Sequence, residues 1–170
     1  MASSKRRLAT DALQTRIATV TVANGYQRDI NSVQKYRKRK VTGDTEFQVN
    51  DFNTLPLVIL TTEGNAMVEV EGEESIANET ERFLDVLAIL YFVHDQEDDS
   101  DTETDDLADD FVSDIEKAIM ADPPLGGAVV WTQVRDWMVM EAEDDEGEPW
   151  CIVPISIRMQ YNYVYDDPYT

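Results

Sequence analysis

The chain has 170 residues, with 35 Asp and Glu against 14 Lys and Arg, one histidine and one cysteine. That length suits a single domain, which buries about 70% of its unfolded surface and needs no staples to hold it. One cysteine excludes a disulfide within the chain, and a net charge of −21 argues against a domain that grips nucleic acid by a generally basic surface.

The charge is unevenly distributed. Residues 1–40 hold ten Lys and Arg against Asp11 and Asp29, a net of +8, while the rest of the chain holds four against 33 acids, a net of −29. Two such poles on one folded body favour head-to-tail contact between copies and oppose head-to-head contact; the plain alternative is a solvated basic arm, or one that binds something acidic. Cys151 fits a reducing compartment and a packing role. Lys5, Arg6 and Arg7 are followed by no apolar stretch long enough for a signal peptide, and nothing reads as a membrane span.

In chain order, residues 5–20 read as an amphipathic helix, with Leu8, Ala12, Leu13, Ile17 and Val20 at spacings of three and four and a stop at Asn24-Gly25. Residues 31–41 read as a short edge strand leading into a basic loop, with Lys35, Arg37, Lys38, Arg39 and Lys40 available to discourage strand pairing or to meet phosphate or an acidic surface. Leu55 to Leu60 is an apolar strand entered through Pro56, and Ala66 to Val70 reads as its hairpin partner across Gly64-Asn65.

The run Phe83 to Val93 is apolar at every position but Asp85. It is too short to span a bilayer as a helix and rich in β-branched and aromatic residues. We read residues 80–94 as a long central strand, with helices on one face and more protein, from this chain or a second copy, on the other.

Residues 95–114 carry eleven acids in twenty positions. An EF-hand loop started at Asp99 puts Thr104 where glycine belongs and Asp110 where glutamate belongs, so the calcium pattern fails. Thr102 or Thr104 suits a helix cap, Asp105 and Asp106 suit its positive end, and Leu107, Phe111, Ile115, Ala118 and Ile119 form an apolar stripe, giving a second helix over 104–121. Asp122-Pro123-Pro124-Leu125-Gly126-Gly127 ends it, without the lysine and hydroxyl of a phosphate loop. Ala128 to Ala142 reads as one long strand, with Val129, Trp131, Trp137 and Val139 on a common face. Residues 143–148 form a charged tip, and Cys151 to Tyr165 alternates cleanly as the returning strand. Trp131 and Trp137 serve as core or as interface anchors.

No catalytic constellation is present in the sequence. His94 is the only candidate centre for a triad or an imidazole metal site, and nothing around Cys151 marks a nucleophile. The expectation is a protein that is not an enzyme and takes neither cofactor nor metal.

The order of these elements resembles the tail terminator, or neck, proteins of long-tailed bacteriophages. The matching features are the helix ending near Asn24-Gly25-Tyr26, Leu55-Pro56-Leu57-Val58-Ile59, the helix containing Asp110-Phe111-Val112-Ser113-Asp114-Ile115, then Leu125-Gly126-Gly127 and the closing strand Ile155 to Tyr163. The acidic stretch 95–106 and the basic segment 35–40 are longer than that pattern leads one to expect. The resemblance implies a single α+β domain over 1–170, with a mainly antiparallel sheet, two amphipathic helices on one face and a long C-terminal β-hairpin. It further implies a homo-oligomeric ring of about six copies that caps the tail tube. Its neighbours would be the tail tube protein and a head-completion or connector protein, and genomic DNA would pass through the lumen without sequence recognition or membrane contact. Assembly in the host cytoplasm and residence in the virion neck follow. Candidate interface residues are Lys35, Arg37, Lys38, Arg39, Lys40, Trp131 and Trp137; Asp98, Asp99, Asp101 and Glu103 are candidates for an acidic lumen that repels phosphate, or for a partner surface. The alternatives are another neck ring component, or an acidic binding module that mimics DNA.

Overall fold

The computed structural model describes residues 4–35, 54–62, 79–93, 104–143 and 149–164. Its elements are α1 (Lys5–Ile17), a 3-10 turn (Val22–Asn24), β1 (Ser32–Lys35), β2 (Leu57–Thr61), β3 (Glu79–Val93), α2 (Thr104–Met120), β4 (Trp131–Trp137), β5 (Met140–Glu143) and β6 (Pro149–Val164). The expected α+β class is the observed one. The strands form one sheet in the order β1-β2-β3-β6-β4, with β5 also paired to β6. Among the described strands, only the β1–β2 pairing is parallel.

The sheet is built on β3 and β6, paired antiparallel from Glu79 opposite Val164 to Val93 opposite Trp150. Side chains alternate across a strand. Leu84, Val86, Ala88, Leu90 and Phe92 of β3 and Cys151, Val153, Ile155, Ile157, Met159 and Tyr161 of β6 all turn to one face and are buried there. Both helices lie on that face, and their stripes complete the core. The unbroken apolar run of β3 therefore resolves into one fully buried face and one half-buried face.

α2 follows the expected bounds, with Asp105 and Asp106 in its first turn and Leu107, Phe111, Ile115, Ala118 and Ile119 buried; the Phe92 and Phe111 rings meet at 5.1 Å. α1 differs in two ways. Its buried line is Ala9, Leu13 and Ile17, whereas Leu8 lies on the exposed side. It also stops at Ile17, and the Asn24-Gly25 pair instead closes the 3-10 turn, where Gly25 takes φ 86°. A second left-handed run, Leu125 to Gly127, turns the chain from α2 toward β4; Leu125 adopts φ 50° with its side chain buried in the core.

The reading of 128–142 as one strand is corrected. The turn after α2 extends to Val130, β4 starts at Trp131, and pairing lapses at Met138 and Val139 before β5. A register shift between Val134 and Asp136 opposes an extra residue to β6, so the side chains change parity there. The closing hairpin is thus β4 and β5 in sequence against β6, and its acidic tip at 144–148 lies outside the described residues. So do the strand expected at 66–70, His94 and Tyr165. β2, whose partner was expected there, pairs with β1 and β3.

Polar ties fix the segment after α1 to α2. Asp114, 2% exposed, accepts the backbone N–H groups of Gln27 (2.7 Å) and Arg28 (2.8 Å). Arg28 bonds Asp110 (3.0 Å), Arg16 bonds Asp122 (2.6 Å), and Lys117 donates to the Gly25 carbonyl (2.7 Å). Removing the Asp114 carboxylate orphans two backbone donors. Asp114→Ala is therefore expected to lower stability by about 2–3 kcal/mol in urea unfolding, whereas a loss below about 0.5 kcal/mol would mean that water replaces both bonds.

Candidate functional site

Lys35 stands on the edge strand β1, opposite Leu60 and on the helix side of the sheet. Its ammonium pairs with Asp11 of α1 and lies 3.4 Å from Thr10 Oγ1. It thus ties β1 to α1, as does Gln14, whose amide donates to the Val33 carbonyl at 2.7 Å. Arg37, Lys38, Arg39 and Lys40, and the acidic candidates Asp98, Asp99, Asp101 and Glu103, lie outside the described residues. Trp131 and Trp137 were expected on a common face; the register shift separates them. Trp137 packs on the helix-side core, while Trp131 turns to the other face and meets the Phe83 ring at 6.0 Å.

That second face is the main chemical feature of the described surface. Register places Leu57 and Ile59 of β2 on it, both already buried within the chain though outside the helix-side cluster, together with the partly buried Phe83, Leu87, Ile89 and Tyr91 of β3 and Ile152 and Pro154 of β6. Trp131, Met138 and Met140 line its β4–β5 margin, and the two methionines are 57% and 50% exposed. An antiparallel sheet with a solvated face ordinarily alternates apolar with polar residues. Here the side away from both helices carries an apolar band too, interrupted by Thr61, Gln133, Ser156 and Gln160, although no described helix covers it. Burial of the Tyr91 ring raises its phenol above the usual value.

Asp85 and Arg158 sit in the middle of this face as direct cross-strand partners. They join by two parallel bonds, Nε to Oδ1 at 2.7 Å and Nη2 to Oδ2 at 3.0 Å, and the guanidinium also lies over the Phe83 ring, 5.8 Å from its centre. The hydrogen bond from Arg158 holds the Asp85 carboxyl below its ordinary 3.8, against the opposing effect of burial; the positive charges of Arg158 and Arg135 act in the same direction as the bond. Asp85 in turn holds Arg158 above its ordinary value. Sequence reasoning did not single this pair out, though a signal existed. Asp85 is the one charge in its apolar run, and Arg158 is the one charge among the alternating residues of β6 between Cys151 and Tyr161.

Among the described residues, no three His, Cys, Asp or Glu side chains are placed to hold a metal ion, and no helix is long and apolar enough to cross a membrane. What this site can do is bind by shape and apolar contact.

A carboxylate whose folded pKa is depressed stabilises the fold above its unfolded pKa, and that contribution is lost as pH falls through the folded value. Asp85→Asn is expected to cost about 1–2 kcal/mol at pH 7, the scale of a bidentate, half-exposed pair. The gap from wild type should then shrink as the pH is taken below 3.8, the ordinary value. A gap independent of pH in paired denaturant titrations would show that the charge contributes nothing. No protein-family model matches the chain, and no curated protein matches it significantly.

Proposed function

We propose that this chain is a structural virion protein that forms a ring at the end of a phage tail tube, halts its growth and gives the head a surface to join. The observation supporting this reading is the order and placement of elements. An opening helix, an early core strand, a long central strand, a second helix, a Leu-Gly-Gly turn and two closing strand segments make up one sheet with both helices on one side. This is the arrangement that the resemblance to tail terminators implies. On this reading the chain performs no catalysis, its neighbours are tube protein on one side and a head-completion or connector protein on the other, and its working location is the virion neck.

The net of −29 beyond residue 40 favours a second reading, an acidic module that sequesters a basic partner or mimics DNA. The two readings part on a single preparation. Added to polymerising tube protein of the same phage, a terminator is expected to shorten the tubes and to appear as a cap at one end in negative-stain images. Tubes of unchanged length without caps at molar excess, together with tight monomeric binding to a basic protein, would overturn the terminator reading in favour of the acidic module.

A further inference from the structure

We infer that β5 opens from β6 as a unit of its own, with Pro154 as the break that keeps β4 closed when it does.

The outer strand stops at Trp137 and resumes at Met140, yet the register on either side is the same: Trp137 lies opposite Ile155 and Met140 opposite Ile152. Nothing is inserted between them, so the lapse is one of bonding. In an antiparallel ladder, alternate residues exchange both backbone bonds with the residue opposite. The Met138 N–H donates to the Pro154 carbonyl at 3.4 Å, which marks these two as such a pair. The return bond would run from an N–H at position 154 to the Met138 carbonyl, and proline has no N–H. That one absent donor accounts for the interruption at both Met138 and Val139, and it leaves the Met138 carbonyl without a bond from β6. Proline within a sheet belongs on edge strands or at bulges. β6 lies between β3 and the outer strands, and the missing donor falls on its outer side.

The two halves of the outer strand are held differently. β4 is anchored in the core: Thr132 is buried, and Val134 and Trp137 pack against the buried cluster, as does Val139 just beyond. Past Val139, register puts Glu141 and Glu143 at the positions in line with Trp137 and Val139, so the apolar series ends there. Met140 is exposed, and β6 is the one described strand to which β5 pairs. β5 is thus joined to the sheet through Met140 and Ala142, opposite Ile152 and Trp150, and Val139 is the pivot. Opening there bares only the backbone groups of Trp150 and Ile152. An unbroken outer strand that opened as one would bare the β6 edge as far as Gln160, and a short free edge invites less illegitimate pairing than a long one.

The test is native-state amide exchange of the full chain, read residue by residue by NMR. Between Trp150 and Ser156 the even-numbered residues of β6 face the outer strands and the odd-numbered ones bond β3, so one strand carries its own reference. Protection of Met140, Ala142, Trp150 and Ile152 is expected to be at least about tenfold below that of Val153, Ile155 and Ser156, with Met140 and Ala142 within about twofold of each other, as for one cooperative opening. Pro154→Val supplies the missing donor and should bring Ile152 to within about threefold of Ser156, the scale of one net hydrogen bond. Loss of the proline also loosens the unfolded chain, which lowers all protection alike and leaves the gap as the readout. Ile152 as protected as Ser156 in the wild type, protection falling steadily from Met140 to Ala142 as fraying from the Glu143 end would give, or a gap unchanged in Pro154→Val would each overturn the inference. The first two outcomes need only the wild-type chain and stay decisive should the variant fail to fold.

Discussion

The pairing of β3 with β6 is the constraint on which the other elements depend. Its register runs unbroken from Glu79 opposite Val164 to Val93 opposite Trp150, and every other strand attaches to one of the two: β2 to β3, β4 and β5 to β6, and β1 through β2. A slip of one residue would turn Val86, Ala88 and Leu90 away from the helices and push Asp85 toward them. Burying an unpaired carboxylate while exposing three core side chains would cost several kcal/mol, so the hydrophobic pattern excludes every register of the wrong parity. The Asp85–Arg158 bonds act in the same sense from the opposite face, because the two residues meet only in this register.

From that axis the two faces acquire different characters. The helix side is closed by α1 and α2 and secured by bonds that reach across the fold, among them Arg16 to Asp122 and the backbone of Gln27 and Arg28 to Asp114. The other side keeps an interrupted apolar band and a self-satisfied ion pair. The register shift at the β4 margin decides which tryptophan belongs to which side: Trp131 joins Phe83 on the second face, and Trp137 joins the core.

Long periodic segments carried most of the legible information. The alternation from Cys151 onward identified the buried face of β6 residue by residue, and the stripe from Leu107 to Ile119 fixed α2 within a residue, since each pattern repeats often enough to override local exceptions. What escaped was set by single residues. Nothing in the composition of 128–142 marks one extra residue in the ladder, yet it reverses the parity of everything after it, which is why Trp131 and Trp137 were assigned a common face. α1 was drawn too long because Val20 continues the apolar spacing; that residue is buried, but from the loop beyond the helix. Lys35 looked free because a sequence does not show that Asp11 would be brought beside it. The Asp85–Arg158 pair required the register itself, which joins residues 73 positions apart.

The central claim is that this chain is a ring-forming subunit built on the β3–β6 pair, with both described helices on one side of it. Electron cryomicroscopy of the assembled full chain tests it most directly. The account predicts a closed ring of about six copies, each with α1 and α2 on the same side of the β3–β6 pair. Particles that stay monomeric even at the end of a tail tube, or that show α1 and α2 on opposite sides of the sheet, would contradict it.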